Sequence, residues 1–192
     1  QLTIDSIINC KTNFDGDMEV LLYGRNEGAL SINSMDGCVF VQASQESLGE
    51  IDAYNDAIRR ATGDYLTMLR GGDVWSDNAL MELRNALSKF KKPALVMMKK
   101  LMPDGMIGAF SKVVYAEGPT LLELDKFFEG YPFYFGGTFV RASALKNRMF
   151  CPDYGLESER AFFLDLCVEH QKVLFLPDAT YSSIKTQEGD IT

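Results

Sequence analysis

The chain has 192 residues, of which 46% are hydrophobic and 24% are charged. This composition is typical of one globular domain with a buried core, and it excludes a disordered protein. The formal net charge of −8 excludes a general nucleic-acid binder, which needs a basic surface to displace counterions from phosphates. The apolar runs are too short to cross a bilayer, so we expect no membrane span in this chain.

The four cysteines are dispersed and form no C-x-x-C pair. They are Cys10, Cys38, Cys151 and Cys167. Cys38 and Cys167 lie in or beside apolar runs, which predicts buried free thiols and a reducing compartment. We therefore expect a cytoplasmic protein, whose place of action could be the cytoplasmic face of a membrane.

Helices and short strands alternate in the first half of the chain. The pattern predicts a helix at 2–10, strands at 18–23 and 38–43, a helix that a capping box at 47–50 opens, a strand at 64–69, and a helix that Ser76 caps. A wound α/β domain normally begins with a strand. Because this chain opens with a helix, we expect the first strand to be lost or to belong to sequence outside it.

The alternation continues in the second half. The pattern predicts a strand at 94–98, a second capping box at 120–123 that opens an amphipathic segment, a helix at 157–169, and a strand at 172–176 that ends before Pro177. The Lys99-Lys100 pair is interpreted as a solvated strand end. Together the two halves predict an α/β sandwich with a largely parallel central sheet.

The middle of the chain carries the most specific motif. Without a gap, the segments 53–58, 61–66 and 69–75 resemble the block A-R-N-x-G-I, A-T-G-E-Y-I, L-D-S-D-D-x-W of family 2 glycosyltransferases. The segment 136–177 is similar to the family's G-G-x-x-x-x-R, F-D-E and E-D motifs, an apolar helix and a strand ending in L-P. The segments 5–9 and 19–22 resemble the family's D-S-V-L-N helix and E-I-I-V strand, so the resemblance covers nearly the whole chain.

The resemblance implies a single domain over 1–192 with a GT-A-like (Rossmann-like) α/β/α sandwich. Residues 1–98 would bind the nucleotide-sugar donor, and 99–192 would face the acceptor. The implied activity transfers a sugar from a nucleotide sugar to an acceptor hydroxyl with inversion, in glycan or polysaccharide biosynthesis. The implied partners are the nucleotide sugar and a glycan or lipid-linked acceptor, and a homo-oligomer is possible.

The chain departs from this family where the diphosphate is normally bound. The D-x-D motif falls on Arg70-Gly71-Gly72, and only the following acid, Asp73, remains. An arginine cannot hold a metal, which argues against a bound Mn²⁺ or Mg²⁺ and leaves Asp73 as the one weak candidate contact. Arg70 could bind the diphosphate directly, since a guanidinium matches phosphate oxygens. Alternatively, Arg70 pairs with an acid or faces solvent, and Asp73 caps the Ser76 helix.

A second departure concerns the nucleotide base. Gly24-Arg25-Asn26 stands where the family has an Asp-Asp-Gly turn that contacts base or ribose. The resemblance therefore does not carry over a base preference.

The implied general base is better preserved. Counted from Phe150 without gaps, the family's E-D pair falls on Ser158-Glu159, so Glu159 would deprotonate the acceptor hydroxyl. Glu157 is the fallback if the alignment slips. The alternative is that Glu159 is only a charge favoured by the amino end of a helix.

Four further residues match the family's motifs, and each has a functional and a structural interpretation. Asn55 could lie near the donor or make a structural hydrogen bond. Gly136 and Gly137 could admit the sugar or acceptor, or could form a bulge. Trp75 could stack on a sugar ring or pack beside the site.

Two functions therefore remain in competition. The first is a glycosyltransferase, and the second is an inactive GT-A-like module that binds carbohydrate or a protein partner. A third possibility is that the chain is a fragment whose donor site is completed by residues before Gln1. Nucleoside diphosphate binding, with Glu159 facing the nucleotide across a cleft, would distinguish the first two.

Overall fold

The computed structural model describes residues 2–23, 37–43, 49–101, 117–123, 135–146 and 148–183. The helices are α1 (Leu2–Thr12), α2 (Glu50–Arg60), α3 (Ala79–Lys89), α4 (Ala142–Leu145) and α5 (Ser158–His170). The strands are β1 (Met18–Tyr23), β2 (Cys38–Ala43), β3 (Tyr65–Leu66), β4 (Asp73–Trp75), β5 (Leu95–Leu101), β6 (Thr120–Glu123), β7 (Thr138–Arg141) and β8 (Lys172–Ser183). Short 3-10 helices at Phe135–Gly137 and Pro152–Glu157 precede β7 and α5.

The main sheet is mixed, so the prediction of a largely parallel sheet was wrong. Its strand order is β3-β7-β5-β8-β4, and β6 also pairs with β8. The β5–β8 pair is parallel, whereas β3–β7, β5–β7, β4–β8 and β6–β8 are antiparallel. Helix–strand alternation predicts parallel pairing only where each helix is a crossover between neighbouring strands. Here β4, β6 and β7 each pair antiparallel with strands that do not directly precede or follow them in the chain.

Strands β1 and β2 form a separate two-stranded parallel sheet, in register from Met18–Cys38 to Tyr23–Ala43. Hydrogen bonds join this sheet to α2 and to the segment that follows α2. The hydroxyl of Tyr23 donates to Asp56 Oδ2 at 2.7 Å, and Glu19 Oε2 accepts from the Thr62 N–H at 2.9 Å. As predicted, a helix, α1, comes before these strands.

The core lies on both faces of the main sheet. Strand β5 is central, and its residues Leu95 to Met98 are at most 3% exposed. Alternate residues of the strand point to opposite faces. Leu95 and Met97 pack with the aromatic side of α5, and Val96 and Met98 pack with α1 and α3. The predicted α/β/α sandwich is therefore confirmed, with helices on both faces.

Two predicted helix starts differ from the structure. Helix α3 begins at Ala79 with Asn78 as its N-cap, and the Ser76 hydroxyl instead accepts from the Thr180 N–H at 3.0 Å. Ser76 was the wrong cap because its hydroxyl is bonded to β8 and the N-cap position lies two residues later. Helix α2 begins at Glu50, and Ser47, the predicted cap, lies outside the described residues.

Two predicted segments near the end of the chain were also wrong. Residues 120–123 form strand β6 rather than a helix start, because they pair with 172–175 of β8. Strand β8 continues past Pro177 to Ser183. The pairing of β8 with β5 jumps from Leu176 to Thr180, so Pro177 sits in a bulge where its missing N–H interrupts no ladder bond.

Three further observations bear on the predicted organisation. The boundary between 98 and 99 falls inside β5, so the two halves share the central strand. Three cysteines are buried and Cys151 is half-buried, and all four are free, which confirms the prediction of free thiols. In the described ranges, no helix combines the length and apolar character needed to cross a membrane.

Candidate functional site

The segment in the D-x-D position is a closed turn between β3 and β4. The Asp73 N–H donates to the Arg70 carbonyl at 3.0 Å, and the Arg70 N–H donates to Asp73 Oδ2 at 2.8 Å. Gly72 has a φ of 93°, which favours glycine. Helix α1 supports the turn, because Thr3 Oγ1 accepts from the Gly72 N–H at 2.9 Å. The turn therefore holds the Arg70 backbone in one place.

The Asp73 carboxylate is used inside the protein. Asp73 is 2% exposed, and its Oδ1 accepts from the Tyr181 hydroxyl at 3.2 Å while Oδ2 holds the turn. Among the described residues, no cluster of three His, Cys, Asp or Glu could hold a metal ion. The donor set therefore does not fit the divalent cation that a D-x-D motif would bind. Asp73 also does not cap α3, whose N-cap is Asn78.

The Arg70 side chain joins two acids. Its Nε donates to Glu50 Oε1 at 2.8 Å and to the Tyr54 hydroxyl at 3.0 Å, and its Nη2 lies 3.5 Å from Glu159 Oε2. Its Cζ is 5.3 Å from the ring centroid of Phe135. Arg70 therefore pairs with acids, which was the alternative to diphosphate binding in the sequence analysis. The side chain is nevertheless 51% exposed, so the guanidinium is accessible to a ligand.

Glu159 is the second residue of α5 and lies half-buried against this arginine. Its Oε1 accepts from the Phe135 N–H at 2.9 Å. Burial raises the pKa of Glu159, and Arg70 and the Phe135 N–H oppose that effect. A carboxylate with a raised pKa is a better proton acceptor near neutral pH. The fallback, Glu157, is instead 71% exposed and pairs with Arg160 at 3.7 Å.

Sequence reasoning missed three residues around the Arg70–Glu159 pair, namely Glu50, Tyr54 and Lys100. Glu50 and Tyr54 lie one turn apart on α2, and the Tyr54 hydroxyl donates to the Glu50 carboxylate. Lys100, near the end of β5, is not a fully solvated strand end. Burial lowers the pKa of Lys100, and Asp73 and Glu159 act in the opposite direction. The i, i+4 spacing of Glu50 and Tyr54, and the place of Lys100 at a strand's carboxyl end, were the available signals.

Asn55 and Trp75 lie in the core. The Asn55 side-chain amide donates to the Phe150 carbonyl at 2.9 Å and accepts from the Phe150 N–H at 2.7 Å. Trp75 is 5% exposed, and its Nε1 donates to the Gly136 carbonyl at 2.6 Å. In this structure Asn55 fixes the segment before α5, and Trp75 is packed beside the Arg70–Asp73 turn without a free ring face for a sugar.

Gly136 and Gly137 are also buried, next to the same turn. A Cβ at Gly136 would lie 2.4 Å from a ring carbon of Tyr181 and 2.9 Å from Asp73 Oδ2, and one at Gly137 would lie 3.1 Å from the Tyr181 ring. Glycine is therefore needed at these two positions because the Tyr181–Asp73 pair leaves no room for a side chain. The segment Gly24-Arg25-Asn26, which stands where the family has a turn, lies outside the described residues.

The geometry thus brings Arg70, Asp73 and Glu159 together and leaves Asn55 and Trp75 in the core. Solved structures share this arrangement of helices and strands. The fold is similar to that of TarS, a glycosyltransferase. Residues 1–349 of S. aureus TarS in complex with UDP-GlcNAc match with a TM-score of 0.63 and 16% identity, over 80% of this chain and 44% of that chain.

A second structure of S. aureus TarS 1–349 matches with a TM-score of 0.61 and 14% identity, over 77% of this chain and 43% of that one. The chain therefore spans less than half the length of these structures. At such identities the likeness shows the fold alone, and it confirms the predicted glycosyltransferase-like α/β architecture. No protein-family model matches the chain, and no curated protein matches it.

Proposed function

We propose that the chain is the donor-binding and catalytic domain of a nucleotide-sugar-dependent transferase. In this proposal Arg70 binds the donor diphosphate without a metal, and Glu159 is the general base. The observation that carries it is the pair itself, with 3.5 Å between Arg70 Nη2 and Glu159 Oε2. The structure of TarS with UDP-GlcNAc supports a nucleotide sugar as the class of donor.

A phosphate can compete for Arg70 with its present partners. The Arg70–Glu50 pair is solvent-exposed, with side chains 51% and 58% accessible, and exposed ion pairs contribute about 0–1 kcal/mol. A charge-assisted hydrogen bond to a ligand contributes about 1.5–3 kcal/mol. Because a diphosphate carries more negative charge than one carboxylate and its oxygens match a guanidinium bidentately, we expect it to displace the Glu50 carboxylate from Arg70.

Glu159 then serves the transfer step. The acceptor hydroxyl oxygen attacks the anomeric carbon from the face opposite the leaving group, and Glu159 takes the hydroxyl proton. The bond from the anomeric carbon to the diphosphate oxygen breaks, and its electron pair leaves with the nucleoside diphosphate. When phosphate oxygens engage Arg70, the partly buried carboxylate loses part of its cationic partner and becomes more basic.

The finer assignments are part of the same proposal. In this proposal residues 1–98 supply Arg70 for the donor and residues 99–192 supply Glu159 for the acceptor, and the donor site can also use the strand β5 that the two halves share. We propose a glycan or lipid-linked acceptor in polysaccharide or other glycan assembly. Free cysteines support a reducing, cytoplasmic location.

One observation favours the second candidate, an inactive module that binds carbohydrate or a protein partner. Arg70 is already bonded to Glu50 and Tyr54 and paired with Glu159, and both oxygens of Asp73 are used within the protein. A site satisfied by its own side chains needs no ligand to be stable.

Calorimetric titration with UDP, GDP, CDP and dTDP, each with EDTA and with Mn²⁺, separates the two candidates. We expect at least one nucleoside diphosphate to bind in EDTA, and Arg70→Ala to weaken that binding about 10- to 100-fold, the loss of one charge-assisted bond. Arg84→Ala is the matched control, because the Arg84 side chain is similarly exposed and pairs with Asp15, which is not a residue of the candidate site. Absence of binding by the unmodified chain would overturn the proposal and favour the module.

A further inference from the structure

One guanidinium is insufficient for the proposed leaving group. A nucleoside diphosphate carries at least two negative charges, and a divalent cation commonly compensates them. The candidate site lacks a metal-binding cluster among its described residues, and it contains the carboxylates of Glu50, Asp73 and Glu159. A second cation near Arg70 is therefore needed for the diphosphate to bind.

The register of β5 and β8 places Lys100 beside the Tyr181–Asp73 pair, which adjoins the Arg70 turn. Lys100 lies directly opposite Tyr181 in the parallel pair, and residues opposite each other in neighbouring strands project their side chains to the same face. The Tyr181 hydroxyl donates to Asp73 Oδ1 at 3.2 Å. Lys100 also lies near the carboxyl end of β5, the end at which α/β sheets bind ligands.

The surroundings of Lys100 agree with this placement. The side chain is half-buried, and the carboxylates of Asp73 and Glu159 favour its charged form against the effect of burial on its pKa. Lys99, the preceding residue, projects to the opposite face of the sheet, beside Thr180 in the register. The two lysines therefore differ in position and not in charge.

We propose that Lys100 is the second cation of the donor site, and that its ammonium group binds the diphosphate together with Arg70 in place of a divalent metal. This inference rests on the proposed function, and it assigns the charge compensation of the leaving group to two side chains, one from the turn before β4 and one from β5. It predicts that the diphosphate, and not the nucleoside, is recognised by Lys100.

The test titrates the best-binding nucleoside diphosphate, and the nucleoside without phosphates, in EDTA. We expect Lys100→Gln to weaken diphosphate binding about tenfold, as for loss of one charge-assisted contact, and to leave nucleoside binding unchanged. Lys99→Gln, the matched control, should stay within about twofold of the unmodified chain. Lys100→Arg keeps the charge and should retain most of the affinity.

Thermal unfolding of each variant checks that it folds. If Lys100→Gln does not fold, Lys100→Met, which keeps the apolar stem, supplies the same comparison with Lys100→Arg. Equal diphosphate affinity of the neutral variant and the unmodified chain would overturn the role of Lys100 and leave the function of Arg70 intact. Equal losses in the Lys99 and Lys100 variants would also overturn it. Absence of diphosphate binding by the unmodified chain would overturn both proposals.

Discussion

Helix α5 has a glutamate paired with an arginine near each end, and the pKa values of these two glutamates are shifted in opposite directions. Glu169, near the carboxyl end, accepts hydrogen bonds from Lys146 and Arg148, which lower its pKa to about 2. Glu159, at the amino end, lies 3.5 Å from Arg70, yet burial raises its pKa. The helix dipole alone would give the reverse order, since it favours negative charge at the amino end.

The comparison shows that a nearby arginine does not by itself set the proton affinity of a carboxylate. Two direct charged hydrogen bonds lower the pKa of Glu169, whereas burial outweighs the single, longer Arg70 contact at Glu159. Glu169 is a structural ion-pair acceptor, to which both Lys146 and Arg148 donate. Glu159 is a desolvated acid whose arginine is shared with Glu50. Perturbation by desolvation beside a specific charge is typical of functional sites, so the two glutamates provide matched positions for testing the proposed chemistry.

The largest expected difference is in sugar transfer. Glu159→Gln should reduce the transfer rate by about 10²- to 10⁴-fold, because removing a general base costs that much. Glu169→Gln should change the rate less than about twofold, since exposed ion pairs contribute little. The measurement is transfer from the donor that binds best, or its slow hydrolysis if no acceptor is at hand. Similar rates for the two variants would remove Glu159 from the mechanism.

The second expected difference is in the pH dependence of stability. The folded-state pKa of Glu159 lies above its ordinary value of 4.5, so its ionisation destabilises the fold as pH rises through that folded-state pKa. Glu159→Gln should therefore raise the unfolding temperature at pH 7, and the gain should vanish below about pH 4.

Glu169 should show the opposite sign. Its folded-state pKa of about 2 lies below the ordinary 4.5, so its ionisation stabilises the fold above pH 4.5, and this contribution is lost as pH falls through about 2. Glu169→Gln should lower the unfolding temperature at pH 7, with no difference near pH 2. Thermal unfolding from pH 2 to 8 measures both variants, and shifts of the same sign at pH 7 would contradict the comparison.

The smallest expected effect concerns the competition for Arg70. Glu50→Gln should strengthen nucleoside diphosphate binding by about two- to fivefold, because the displaced pair contributes about 0–1 kcal/mol. Asp52→Asn is the matched control, since Asp52 is exposed on the same helix turn and makes the same change of charge. Calorimetry in EDTA measures both. Weaker binding by Glu50→Gln would instead show that Glu50 holds Arg70 in its binding orientation.

Local pattern was sufficient for much of the fold. The helices α1 and α5 and the strands β1, β2 and β5 follow from apolar spacing, which a segment carries by itself. Strand β6 was missed because its four residues also fit a capping box, and its pairing with β8 decides its conformation. Strand direction could not be read because it depends on which strands meet across the sheet.

The site was predicted in part for the same reason. A motif in the sequence gives the position of a residue and not the direction of its side chain. Arg70 and Glu159, two of the predicted site residues, are close in space, whereas Asn55 and Trp75, which lie in the same motif as Arg70, point into the core. Lys100 was missed because its nearness to Asp73 depends on the register of β5 with β8.

The location of the donor site is tested most directly by carbon-13 NMR of the glutamate carboxyl groups during a titration with UDP, or the best-binding nucleoside diphosphate, in EDTA. We expect the Glu159 resonance to shift as the diphosphate takes up Arg70, and the Glu169 resonance to stay in place. Saturable binding that leaves Glu159 unchanged would place the nucleotide elsewhere and contradict the proposed pairing of diphosphate and base.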